Sequence, residues 1–126
     1  MPPATRLFLV LGAVAMAAAV ALGAFGAHAL RARVAPEQLA VWHTAVQYHV
    51  YHALGLFLVA WVATLLPASS GVRLAGWLMA AGTLLFAGSL YVLVLTGVRW
   101  LGAVTPLGGA AFIAAWVVLA WSAWRG

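Results

Sequence analysis

Between His43 and Gly55 the chain reads His43-Thr44-Ala45-Val46-Gln47-Tyr48-His49-Val50-Tyr51-His52-Ala53-Leu54-Gly55. Imidazole, phenol, amide and hydroxyl groups stand here among apolar residues. All of them hydrogen-bond, and imidazole can also carry a proton or ligate a metal. On a helix turning about 100° per residue, with His43 at zero, Gln47 falls near ~40°, Tyr51 near ~80°, Thr44 near ~100°, Gly55 near ~120°, Tyr48 near ~140° and His52 near ~180°. They form one polar stripe, flanked by His43 and His49. His52 is the deepest histidine, about 13 Å along the axis from His43. Farther along the chain, Tyr91 could reach this stripe, and Ser89 can bond back to its own helix.

A polar stripe on a membrane-spanning helix must face protein or water, because hydrocarbon cannot satisfy its donors. It is therefore expected to point into a bundle or a wet cavity. Two readings stay open. One is a hydrogen-bond network that fixes helix register, at about 0.6 kcal/mol per pair. The other is a ligand or proton site, since intramembrane ionisable groups mark function by default. Metal and cofactor binding are not expected. His49 and His52 have tolerable ligand spacing, but no carboxylate or thiolate accompanies them. A bis-histidine haem would need His28 with His43 or His49, close to the surface. Catalysis finds little support: the only carboxylate is Glu37, no acid is available to orient a Ser89–His52 pair, and no glycine-rich phosphate loop follows a strand.

The elements that hold these residues follow from composition. The chain has 126 residues, 67% hydrophobic and 6% charged, and its mean hydropathy is +1.13. A soluble domain carries about 25% charged residues, so soluble and disordered classes are both excluded. There is no cysteine, which removes disulfides, zinc-thiolate sites and iron–sulfur clusters. A spanning helix takes roughly 20 apolar residues. The chain therefore reads as one all-α integral membrane domain, residues 1–126, built as a four-helix bundle.

The expected helices cover about 7–30, 38–66, 74–96 and 101–124. Pro36 and Glu37 suit a helix start, and Pro67-Ala68-Ser69-Ser70-Gly71 is turn chemistry. Short links make successive helices antiparallel neighbours. The first apolar run, Leu7 to Leu30, ends near Ala27-His28-Ala29, which resembles a signal-peptide cleavage site. The run exceeds the usual 7–15 residues of a signal core, so it reads as the first span. Along it Gly12, Ala15, Ala19, Gly23 and Gly26 share one face, a strip that lets another helix come close. Gly88 and then Gly108 and Gly109 are expected to do the same in the third and fourth spans. Thr105 reads as an N-cap and Pro106 as the first helical residue of the last helix, after a bent turn at 101–105.

The net charge of +5 comes from arginines at 6, 31, 33, 73, 99 and 125, set singly between apolar stretches. They suit snorkelling toward anionic lipid headgroups, not the clustered patch that binds nucleic acid. Three arginines fall at each end of the bundle, so charge barely fixes orientation. The amino terminus tips both termini toward the cytoplasm. Trp42, Trp77, Trp100, Trp121 and Trp124 fit interfacial belts, while Trp61 and Trp116 lie deeper.

Four ordered motifs carry a resemblance: Gly23-Ala24-Phe25-Gly26-Ala27-His28-Ala29-Leu30; Thr44-Ala45-Val46-Gln47-Tyr48 with Tyr51-His52-Ala53-Leu54; Leu85-Phe86-Ala87-Gly88-Ser89-Leu90-Tyr91; and Val104-Thr105-Pro106-Leu107-Gly108-Gly109. Over nearly its full length the chain resembles the small membrane proteins of domain-of-unknown-function family 423, which includes the vertebrate transmembrane protein 256 group. Ala87 stands where a serine is common in that motif. The resemblance implies a four-helix inner-membrane protein of bacteria or mitochondria, and no established activity. Its motifs include Gly23, Gly26, His28, Gln47, Tyr48, His52, Ser89, Tyr91, Thr105 and Pro106.

The resulting expectation is a non-enzymatic accessory or interaction component whose polar interior knits four helices, with a homo-oligomer or larger membrane complex as its setting. The alternative is a binding or transport module for a lipid, a quinone-like molecule or protons, using His52, Tyr48, Gln47 and Tyr91.

Overall fold

The computed structural model describes residues 1–126. Helix α1 spans Pro3–His28, α2 Pro36–Leu65, α3 Ser70–Thr83, α4 Ser89–Thr96 and α5 Thr105–Arg125. A π-helical segment, Leu84–Gly88, joins α3 to α4 without a break, and single 3-10 turns at Leu30–Ala32 and Arg99–Ala103 lead into α2 and α5. Four continuous helical stretches are thus long and apolar enough to cross a membrane: 3–32, 36–65, 70–96 and 99–125. In hydrocarbon each backbone N–H and C=O must be satisfied within the segment, which only a helix or a closed barrel achieves.

Local chemistry sets the ends. Pro36 enters α2 from an extended Ala35, with Glu37 in the first turn, where a negative charge complements the helix dipole. The Ser69 hydroxyl accepts the Val72 N–H at 3.3 Å, so α3 begins four residues before the apolar run at Leu74. α4 stops at Gly97, whose φ of 72° is a left-handed geometry that glycine adopts without strain. Thr105 does not cap α5 as expected: Val104 holds that position and no side chain caps it. The Thr105 hydroxyl is turned instead toward Ser89 of α4.

α2 is the central helix. α1 lies along it on one side, α3 and α4 pack against another, and α5 lies along α3. α1 and α3 meet chiefly through Phe8, which packs on α3. Gly26 faces the Trp42 ring, Gly23 faces Val46 and Gly12 faces Phe57, which fixes an antiparallel register. By that progression Val50 is level with Ala19, near the middle of the uncharged run of α1. Close approach is tightest where Gly71 faces the Ser122 hydroxyl, followed by Gly76 under the Phe8 ring and Gly108 against the backbone of Phe86. Gly88 differs from the expectation, because a Cβ there would meet nothing within 4 Å. The wider π turn carries it away from any neighbouring helix, and it borders a crevice.

Two apolar clusters make the core. One holds Phe8, Leu56, Val59, Val72, Met79 and Leu119 among others. The second gathers Leu30, Trp42, Ala45, Ala87, Leu90, Tyr91 and Val94. His49 and His52, both buried, lie between them along α2. Trp77, Trp100, Trp121 and Trp124 are exposed, whereas Trp42 is fully buried among the helices. Its indole donates to the Leu22 carbonyl at 2.9 Å.

Candidate functional site

Polar side chains tie the helices together at mid-depth. The Tyr48 carbonyl lies 2.7 Å from His52 Nδ1, and the Trp116 indole N–H donates to His52 Nε2 at 3.0 Å. A carbonyl can only accept and an indole can only donate. Both partners therefore select the neutral ring with its proton on Nδ1. The same ring stacks on Phe112, with centroids 3.4 Å apart and planes within 5°. His52 thus joins α2 to α5 with both nitrogens used.

His49 makes the second tie. Its Nδ1 lies 2.9 Å from the Tyr91 hydroxyl, linking α2 to α4, and the Ala15 carbonyl of α1 is its other polar neighbour. The Tyr91 ring packs on Trp42 at 4.7 Å between centroids. A third tie joins α4 to α5: Ser89 Oγ donates to the Phe86 carbonyl at 3.0 Å and lies 2.6 Å from Thr105 Oγ1. The Thr105 hydroxyl also has the Leu101 carbonyl as an acceptor at 3.4 Å, and either hydroxyl can be the donor between Ser89 and Thr105. Among fully buried side-chain polar atoms, only Thr5 Oγ1 lacks a partner.

The expected inward stripe is split by the structure. Its His52 edge is buried, but Thr44, Gln47 and Tyr51 are exposed, and Tyr48 is 39% exposed. The buried face of α2 is centred on Ala45, His49, Ala53 and Leu56, roughly a third of a turn from the middle of the polar stripe. Packing of small and aliphatic side chains, not the polarity of the stripe, sets the rotation of the helix. Thr44 bonds back to the Ala40 carbonyl at 3.1 Å. Gln47 Nε2 donates to the Tyr51 hydroxyl at 2.6 Å. The Tyr48 ring rests on Phe86 at 4.7 Å. His28 is exposed at the end of α1. His52, Tyr48, Gln47 and Tyr91 therefore do not converge on one cavity: Tyr91 pairs with His49, His52 with Trp116, and Gln47 with Tyr51.

The polar stripe does not include His49, and its pattern does not point to the partners Trp42, Phe112 and Trp116. A signal was present. Ala45, His49, Ala53, Leu56, Ala60 and Ala63 recur at steps of four and three, the pattern of a packed helix face, and all six are buried. Trp116 carries a donor that needs an acceptor at depth.

A crevice of about 370 Å³ opens beside the His49–Tyr91 pair, between α1 and the α3–α4 helix. No three metal-ligating side chains gather anywhere in the fold.

The family described as "Protein of unknown function (DUF423)" matches residues 22–109. The UPF0382 membrane protein YwdK of Bacillus subtilis is 54% identical over 114 residues, covering 90% of this chain and 93% of its own. The UPF0382 membrane protein SH2409 of Staphylococcus haemolyticus is 45% identical over the same share of this chain and 92% of its own. No solved structure matches.

Proposed function

This chain belongs to the DUF423 family of membrane proteins of unknown function, and from that premise we propose that it is a non-enzymatic component that acts by association, docking a second copy of itself on the outward face of α2. One observation carries this reading. Thr44, Gln47 and Tyr51 are exposed on a spanning helix, Gln47 and Tyr51 level with Leu22 and Ala18 of α1 and Thr44 level with Phe25. After the Gln47–Tyr51 bond is made, one amide N–H, the amide carbonyl and the Tyr51 proton have no partner within the chain. In hydrocarbon each unpaired group costs several kcal/mol, of order ~2–7.

A two-fold axis along the membrane normal brings the same residues to the same depth. Gln47 and Tyr51 then meet their own kind, and the set holds both donors and acceptors. Leu54, Leu58 and Trp61 continue the exposed face and supply apolar contact. The exposed arginines are assigned to anionic headgroups at the two ends of the bundle, and no nucleic acid is involved.

Native mass spectrometry of gently solubilised protein tests this reading. The expected species is a dimer, converted to monomer by Gln47→Leu with Tyr51→Phe while the melting temperature of the monomer holds. A wild-type monomer, or a dimer indifferent to the double variant, overturns it, as does a different polypeptide bound in place of the second copy.

Placement in the bacterial inner membrane with both termini cytoplasmic belongs to the same proposal. The absence of cysteine makes single-cysteine labelling direct. In intact cells an impermeant maleimide should label Val98→Cys and spare Ala68→Cys, and the reverse pattern inverts the topology.

A further inference from the structure

We propose that the crevice between α1 and the α3–α4 helix binds a hydrocarbon-soluble molecule with one ring-borne carbonyl or hydroxyl, the chemistry of a quinone or quinol, entering sideways from the bilayer. The inference is independent of the dimer face, which lies on another side of α2. The crevice is lined by Val14, Ala15 and Ala18 from α1 and by Ala80, Leu84 and Gly88 opposite, with His49 and Tyr91 in its wall. Its volume of about 370 Å³ lies within the range of small-molecule sites, about 300–1,000 Å³. Val14 and Leu84 at its rim are 63% and 76% exposed, so the mouth faces the acyl chains.

Depth decides the class of guest. His49 is one residue from Val50, the position level with the middle of α1. Counted along its own span, Tyr91 lies about 8 Å inside the helix end at Thr96, so the pair sits below the headgroups on either count. A phospholipid can offer this site only an acyl chain, which makes no use of an imidazole–phenol pair. A molecule whose small polar group resides at the bilayer centre does use it. The pair can also serve either partner. When the phenol proton goes to a ligand carbonyl, the imidazole must donate to Tyr91 from Nδ1 and give up its proton toward the Ala15 carbonyl. With the phenol donating to the imidazole, its oxygen accepts from a ligand hydroxyl.

Backbone geometry points to the same place. π-bulges occur frequently at functional sites, and the segment Leu84–Gly88 forms one rim of the crevice. Gly88 borders it with nothing within 4 Å of an added Cβ. That glycine is not needed for helix packing, so a larger side chain there occupies the crevice without displacing a helix.

The test uses purified full-length protein in nanodiscs with decylubiquinone as the probe and decylbenzene, which lacks the oxygens, as the control. Expected are saturable binding of one decylubiquinone per chain, weakening by about fivefold to tenfold in Tyr91→Phe, a loss of one hydrogen bond, and abolition in Gly88→Leu with its melting temperature retained. Equal binding of decylbenzene, binding unchanged in Gly88→Leu, or co-purification of phospholipid alone in the crevice overturns the proposal. If Gly88→Leu fails to fold, Ala18→Phe blocks the opposite wall and is read in the same way.

Discussion

The two sides of α2 carry similar chemistry under opposite conditions. On the inner side, His49 and His52 each meet partners on other helices, and both nitrogens of His52 are used. On the outer side, Thr44, Gln47 and Tyr51 bond only within α2 itself. Inside, polar groups fix which helices are neighbours and at what height. Outside, the same kinds of group are only half-satisfied, and that deficit defines a surface. The contrast shows that side-chain type does not decide between a structural and an associative role in a membrane. The number of donors and acceptors left over decides it.

The inner side depends most on His52. His52→Ala removes the acceptor for Trp116, the Phe112 stack and a buried ring, and should cost about 3 kcal/mol, combining an orphaned donor with a cavity. Thermal or denaturant unfolding in detergent measures it. A loss below 1 kcal/mol would mean that the inner ties are dispensable.

A smaller effect sharpens the α1–α2 contact. A Cβ at Gly26 comes to 2.5 Å from the Trp42 ring, whereas at Gly23 it meets Val46 at an ordinary 3.4 Å. Gly26→Leu is expected to destabilise by about 2 kcal/mol through overpacking, and Gly23→Leu by distinctly less. Equal losses would show that α1 shifts freely against α2.

The smallest effect belongs to the outer side. Gln47→Leu with Tyr51→Phe should leave monomer unfolding within about 0.5 kcal/mol of wild type while abolishing association. A large loss of monomer stability would place these residues in the core after all.

Much of the fold was legible from residues. Uncharged runs between arginines gave the spans, Pro36 and Glu37 the start of α2, and Pro67–Gly71 the second turn. The proline at 106 marked a real discontinuity, although Thr105 turned out to hold α4 and not to cap α5. The rotation of α2 was not legible from polarity. In lipid both faces of a helix are apolar, so hydrophobic periodicity no longer separates inside from outside. Leu54, Leu58 and Trp61 face out, while Ala53, Leu56 and Val59 face in. The spacing of small residues held the answer, and His49 lay within it. The π segment left no comparable mark: Leu84-Leu85-Phe86-Ala87-Gly88 is ordinary helical composition, and the close contact of Phe86 with Gly108 is visible only in the fold.

That wider turn has a consequence for how one span keeps the same two neighbours along its length. An extra residue in a single turn rephases everything downstream by about 100°. Met79 and Gly82 ahead of it face Gly55 of α2 and Phe112 of α5, and Tyr91 and Ser89 beyond it face the same two helices at His49 and Thr105. Shortening the stretch by one residue would leave a straight rod of the same chemistry and unhook both contacts at once, so the molecule's angular bookkeeping is concentrated in five residues.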